Sequence, residues 1–384
     1  MPELIPPPLS LYVHLPWCVR KCPYCDFNSH GARGQLPFDE YVAALVRDLE
    51  HDLPLVWGRT VHSVFFGGGT PSLFPAAAID AILSAAAARL RFAPDAEITL
   101  EANPGTAEHD RFEGYRAAGV NRISFGVQSF DDGCLQRLGR IHDSAEAEAA
   151  VKLAQDAGFD NLNLDLMYAL PGQDLAMAEA DLERAFALQP AHISYYQLTL
   201  EPNTVFYARP PQGIPDDDLA WDMQERCQAL LADAGYGHYE TSAYARPGRQ
   251  CAHNLNYWRY GDYLGIGAGA HGKITLGAEQ AILRRWRHKH PATWMAAAGT
   301  AQAIGGDDRI APEQRPFEYM LNALRLHEGF ALADFQVRTG LDAAHIAPAL
   351  EQARQRGWLE LGGGRVRPTA LGRRFANDVI ELFL

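Results

Sequence analysis

Six times in the first two-thirds of the chain, a short run rich in β-branched and aromatic residues is followed by a segment with helical hydrophobic periodicity. No other feature restricts the fold so tightly. The runs occupy residues 9–14, 61–66, 97–100, 122–127, 161–167 and 192–198, and the helical segments 38–52, 76–90, 107–118, 144–157, 176–188 and 216–234. Parallel neighbours need a long crossover, so this alternation predicts one parallel sheet covered by helices. Six units fall short of the eight that close a full barrel. The expected fold class is therefore α/β, an open partial (β/α)6 barrel spanning 1–235, with a doubly wound open sheet as the alternative.

After residue 235 the texture changes to Tyr, Gly and His, with alternation over 238–244 and a glycine-rich run over 261–272. This part, 236–300, is expected to add strands and loops that close one side of the barrel. Small residues with Gly and Asp over 297–312 suggest a linker. Beyond it, 301–384 reads as helices over 313–327, 331–339 and 344–356, then a hairpin over 358–367, a winged-helix-like domain. Such modules often bind DNA. This one carries 10 Lys plus Arg against 11 Asp plus Glu, with Glu351 inside its third helix, which favours packing or partner docking instead.

Charge points the same way, because a net charge of −13 opposes attraction to phosphate backbones and anionic membranes, so no nucleic-acid partner is expected. With 47% apolar and 21% charged residues the chain has the balance of a globular protein. Its most apolar stretch, 76–88, is interrupted by Asp80 and closed by Arg89, far short of the roughly 20 residues that span a bilayer, so no transmembrane segment is expected. The first residues hold Glu3 and three prolines with no basic region ahead of an apolar run, so a cytoplasmic location is expected.

Chemistry is concentrated at strand ends. Cys18, Cys22 and Cys25 form C-x3-C-x2-C just past the first strand, while Cys134, Cys227 and Cys251 stand alone. Three thiolates suit either a four-iron, four-sulfur cluster with one open iron or a zinc ion completed by His14 or His30. The isolated cysteines read as buried apolar groups. A glycine run, Gly67 to Gly69, with Thr70 follows the second strand, and Glu101, Gln128, Arg140 and Asp165 sit at or just beyond the next strand ends. All should face one mouth, where such barrels place their chemistry.

The cysteine spacing, with Tyr24 before the third cysteine, resembles the motif of the radical S-adenosylmethionine (SAM) superfamily. Within it, the segments YVHLPWCVRKCPYCDF, FFGGGTPS, EANPG, FGVQSF and LDLMYALPG are similar to the group that contains the oxygen-independent coproporphyrinogen III oxidase and the HemW-type haem chaperones. The resemblance implies a 4Fe-4S cluster on Cys18, Cys22 and Cys25, with SAM on its exchangeable iron. It also implies SAM contacts from Tyr12, Tyr24, Gly68, Gly69, Thr70, Glu101, Gln128, Arg140 and Asp165. Against the oxidase stand Phe27, where that enzyme has a further cysteine, and a cluster that begins as early as residue 18. For the chaperone stands Cys251-Ala252-His253-Asn254-Leu255-Asn256-Tyr257-Trp258, similar to an HNxxYW motif, which implies that His253, Asn254, Tyr257 and Trp258 bind haem. From the residues alone, a structural turn packed against a core is the favoured reading of that segment, which the resemblance reverses. The implied activity is haem binding and transfer to haem-accepting proteins, with a flavodoxin-like or ferredoxin-like electron donor; coproporphyrinogen oxidation is the alternative. An axial histidine would release haem as the pH falls through about 6 to 7.

Overall fold

The computed structural model describes residues 2–32, 34–106 and 109–384. Its six expected βα units are present. The strands are β1 (Leu9–Leu15), β2 (Thr60–Gly68), β3 (Arg91–Ala102), β4 (Arg122–Gln128), β5 (Leu162–Tyr168) and β6 (His192–Gln197). The helices of this part are α1 (Phe38–Val56), α2 (Ala76–Ala87), α3 (His109–Ala117), α4 (Asp132–Leu138), α5 (Ser144–Asp156), α6 (Leu175–Ala187), α7 (Val205–Ala208) and α8 (Asp217–Asp233). Residues 107 and 108 of the expected third helix lie outside the described residues. Alternation explains how the strands are covered. In β1, Leu9, Leu11, Val13 and Leu15 join the core under the helices, while Ser10, Tyr12 and His14 turn to the barrel interior.

The remaining elements are β7 (Gly237–Glu240), β8 (Ala243–Ala245), α9 (Ala252–Trp258), β9 (Asp262–Ile266), β10 (His271–Leu276), β11 (Ala281–Arg287), α10 (Pro291–Ala297) and β12 (Ile304–Arg309). They complete one twelve-stranded sheet of order β12-β11-β10-β9-β1-β2-β3-β4-β5-β6-β8-β7. β9 runs parallel to β1 on the side away from β2, adding a seventh parallel strand that the βα repeat did not foretell. The two ends of the order, β12 and β7, do not meet, so the barrel is open.

The stretch expected as a linker contains the edge strand β12, paired antiparallel with β11. Its glycines have a packing cause. A Cβ on Gly305 or Gly306 would run into the Trp286 ring, which crosses over them from β11. β11 also carries a buried ion cluster. Arg287 donates to Asp48 at 2.8 Å and to Asp52 at 2.6 Å, all three side chains at most 1% exposed, and Arg285 also bonds Asp52.

The C-terminal module comprises α11 (Arg315–Ala323), β13 (Phe330–Ala331), α12 (Leu332–Thr339), α13 (Ala347–Gln355), β14 (Leu359–Gly362), β15 (Arg365–Pro368), α14 (Ala370–Arg374) and α15 (Ala376–Glu381). The first three of these helices and the hairpin β14–β15 match the expected pattern, while β13, which makes the sheet β13-β15-β14, and the helices α14 and α15 add to it. The module's core also takes Leu4 from ahead of the first strand, together with Tyr260, Ile282 and Ile310. Among the described residues, no helix is long and apolar enough to cross a membrane.

Candidate functional site

At the C-terminal ends of the parallel strands lies a cavity of about 470 Å³, within the usual range for a small-molecule site. Cys18, Cys22, Tyr24, Cys25, Gly68, Gly69, Thr70, Glu101, Gln128, Arg140 and Asp165 all line it. Of the expected SAM contacts only Tyr12 stays out of the wall. It sits one layer lower, its hydroxyl on His14 Nδ1 at 3.0 Å and its ring stacked on Phe65.

The cysteine loop is pinned at both ends, since Trp17–Cys18 pairs in parallel with His30–Gly31. Inside it, the Cys25 amide donates to the Cys22 carbonyl at 3.2 Å, and the Pro23 carbonyl accepts from the Phe206 amide at 3.0 Å. All six cysteines are free thiols. Burial pushes the Cys18 and Cys25 thiols up, while Arg140 places Nη1 3.5 Å from Cys22 Sγ and keeps a buried Nε without a partner. Among the described residues, no three His, Cys, Asp or Glu side chains are gathered closely enough to hold a single metal ion. A zinc ion draws its thiolates to one point, whereas each thiolate of a cubane sits on its own iron. The zinc alternative also loses its fourth ligand. His14 Nε2 donates to the Asn28 carbonyl at 2.8 Å while Nδ1 faces Tyr12, and His30 Nε2 donates to the Lys289 carbonyl at 3.1 Å. The donor set therefore fits a cluster.

Opposite the cysteines, backbone and carboxylates form the wall. Gly68 has φ +114°, and a Cβ there would stand 2.5 Å from the His14 ring, so only glycine lets the loop lie against the end of β1. Its amide donates to Glu101, but burial and the neighbouring Asp165 outweigh that bond and push the Glu101 carboxyl up to about 8. An uncompensated carboxylate in a cavity wall asks for a cationic ligand. Asp165, also raised by burial, accepts from Ser124 at 3.2 Å and Asn163 at 2.8 Å. Gln128 adopts φ +72°, rare for a residue with a side chain, and its Oε1 accepts from Tyr196 at 3.0 Å. Sequence reasoning missed Ser124, Met167, Ser194 and Tyr196, which also line the cavity. The alternation of β4, β5 and β6 carried the signal, since each lies two residues along its strand from another inward-facing side chain or glycine.

The structure does not bring His253, Asn254, Tyr257 and Trp258 to this mouth. They belong to α9, which plugs the opposite, N-terminal end of the barrel. Glu97 fixes the start of that helix, accepting from the amides of Ala252 and His253 at 3.1 Å each and from the Cys251 thiol. His253 is 2% exposed, stacked on Phe65 at 4.6 Å and edge-on to Tyr257, with Nδ1 3.4 Å from Ser63 Oγ. Burial, with Arg122 nearby, lowers its pKa to about 3, far below the range of a free histidine. The Trp258 ring turns outward and lies under Arg325 at 4.2 Å.

A family model of the radical SAM superfamily matches residues 12–185, and one of the HemN C-terminal domain matches residues 310–375. Among curated relatives, the heme chaperone HemW of Escherichia coli is 50% identical over 378 residues, covering 98% of both chains. That of Haemophilus influenzae is 48% identical over 388 residues, covering 100% of this chain and 99% of the relative. The chain belongs to the HemW-type family of radical SAM proteins. This HemW-type chain is also similar to the solved coproporphyrinogen III oxidase (HemN) of Escherichia coli, with a TM-score of 0.83 at 25% identity over 98% of this chain and 90% of that one. Fold alone thus does not divide the two activities. At the cysteine loop, Phe27 is 57% exposed and lines the cavity.

Proposed function

We propose that this chain is a haem chaperone, which binds haem, passes it to haem-accepting proteins, and carries a 4Fe-4S cluster on Cys18, Cys22 and Cys25 with SAM beside it. The observation that carries this reading is the end-to-end similarity to relatives named heme chaperone. The cavity supports its cofactor part, because three free thiols and a buried, unbalanced carboxylate face one another across it. A bound cluster with SAM would supply one-electron chemistry on delivery of an electron from a flavodoxin-like or ferredoxin-like donor. The chain's own residues hold and orient: the cysteine loop presents three thiolates, the Gly68–Thr70 turn and Glu101 face the ligand, and Arg140 sets a positive charge beside Cys22.

The test is anaerobic reconstitution, separate counts of iron and haem, and transfer of haem to an apo-haemoprotein. The same preparation, given coproporphyrinogen, SAM and reductant, is expected to release no carbon dioxide, because Phe27 stands where the oxidase has its further cysteine. Multiple turnovers with stoichiometric carbon dioxide would favour the oxidase instead.

SAM affinity should depend on pH through Glu101. Its carboxyl is raised to about 8 by burial and by Asp165, and a cation bound beside it lowers that value. Binding therefore favours the deprotonated form, and affinity weakens as pH falls below about 8. Glu101→Gln should bind more weakly and lose this dependence, read by equilibrium binding at several pH values. An identical pH profile in the variant would remove Glu101 from the contact.

A further inference from the structure

A line of buried polar side chains crosses the barrel interior from the mouth to α9. It starts at Asp165 on β5, whose carboxylate accepts from Asn163 Nδ2 at 2.8 Å and from Ser124 Oγ at 3.2 Å. The Asn163 amide oxygen faces the other way, toward His192 Nδ1 and, at 3.2 Å, toward Ser194 Oγ on β6. His192 Nε2 lies 2.8 Å from the Tyr239 hydroxyl on β7, and that hydroxyl oxygen accepts from the Cys251 amide at 3.3 Å. Cys251 is the residue from which α9 starts. Asn163, His192, Tyr239 and Cys251 are all buried, so solvent does not compete for these bonds. None of Asn163, His192 and Tyr239 lines the cavity itself.

Chemistry fixes the direction of every link. A carboxylate only accepts, so the Asn163 amide turns its N–H groups to Asp165 and its oxygen to His192. An amide oxygen also only accepts, which puts the histidine proton on Nδ1. Burial, with Arg122 adding to it, keeps the His192 ring neutral by lowering its pKa well below the usual histidine range. A neutral imidazole has one donor and one acceptor, so Nε2 accepts and the Tyr239 hydroxyl donates. All the donors therefore point one way, from the start of α9 toward Asp165, the arrangement in which hydrogen bonds polarise one another. Asp165 is the sensitive end. Burial raises its carboxyl against the donors that hold it down, and a cation beside it favours the charged form, a stronger acceptor than the neutral acid.

We propose, on the reading above that SAM binds in the mouth, that this line couples the mouth to α9: with a cation held at Asp165, the hydrogen bonds strengthen back to Cys251 and the first turn of α9 opens less often. His192 and Tyr239 are positioning residues, which act on Asp165 through Asn163. A second contact runs beside the line. Buried Arg122 stands 4.0 Å from Glu97, the carboxylate that holds the Ala252 and His253 amides, and its charge also acts on Asp165. Both anchors of α9 thus lead back to the same aspartate. Coupling is reciprocal, so a ligand that steadies α9 raises affinity in the mouth by the same factor. The two ends of the barrel, one with the cysteine loop and one with the HNxxYW-like segment, then respond to each other's occupancy.

Hydrogen exchange over α9 would be followed by mass spectrometry in the reconstituted full chain, with and without saturating SAM, beside equilibrium SAM binding. In the wild type, SAM is expected to slow exchange there about five-fold or more, the lower end of ordinary coupling. Tyr239→Phe keeps the ring and removes both bonds of the hydroxyl. It should still bind SAM, with affinity lower by the factor that the wild type gains in protection, and show no response to SAM in α9. His192→Asn, whose amide can take the place of Nδ1 but does not reach Tyr239, should do the same, and it decides alone if Tyr239→Phe fails to fold by circular dichroism. A merely structural role would loosen α9 equally with and without SAM, and an unchanged ratio of rates in the folded variants overturns the proposal. So does a wild-type chain that binds SAM while exchange in α9 stays the same. A reconstituted wild type that binds no SAM overturns the functional reading and the proposal with it, a result distinct from the other two.

Discussion

Cys18→Ala, Cys22→Ala or Cys25→Ala, reconstituted anaerobically with iron and sulfide, is expected to hold essentially no cluster. Each thiolate anchors its own iron, and two remaining protein ligands leave half the cubane to solvent. Cys134→Ala and Cys227→Ala should retain full iron and sulfide. Both side chains are 0% exposed, and burial pushes their thiols up to about 12 and about 11, which suits packing and not ligation. Iron and sulfide analysis beside the wild type reads the difference. A full complement in the Cys22 variant would show that the cavity holds no such cluster.

The second large effect concerns stability. Arg287→Met removes the cation shared by Asp48 and Asp52, leaving two buried carboxyls with only Arg285 and the Gly267 amide near them. Breaking a buried ion pair from one side costs about 3–5 kcal/mol, since the remaining charge is neither hydrated nor paired. The denaturant midpoint should fall accordingly. Burial already raises the Asp48 carboxyl in the native protein, against the pull of Arg287, and removing that cation raises it further. A carboxyl raised on folding stabilises when protonated and loses that contribution as pH rises, so the defect should be smaller near pH 5 than near pH 8. Equal losses at both pH values would mean that the carboxyls are not the cause.

Strands and cysteines were legible because both are local signals. A period of two fixes which residues of β1 to β6 face the interior, and a spacing of three and two residues fixes a loop with three thiols on it. What the sequence hid depends on distant partners. β9 is a strand because β1 offers an open edge, and its own five residues, Asp262–Ile266, carry no crossover helix to announce it. The glycines of β12 imitate a linker until Trp286 is seen lying over them. α9 is too short for periodicity to register, and Glu97 sets its start from another strand. Nor could spacing unite His192 with Tyr239, which come from different strands of the sheet.

The parallel pairing of β1 with both β2 and β9 also imposes an order on synthesis. The ribosome releases the cysteine loop early, but the strand that completes its supporting neighbour begins only at Asp262. At about 5–20 residues per second, that delay is on the order of 10 to 50 seconds. For that interval the nascent barrel has an uncovered edge at β1, beside the three thiols. Until Asp262–Ile266 has docked, Asn28 at the end of the cysteine loop also lacks the Ala268 carbonyl to which it donates, so on the proposed reading the cluster is expected to assemble after translation of the barrel and not alongside it.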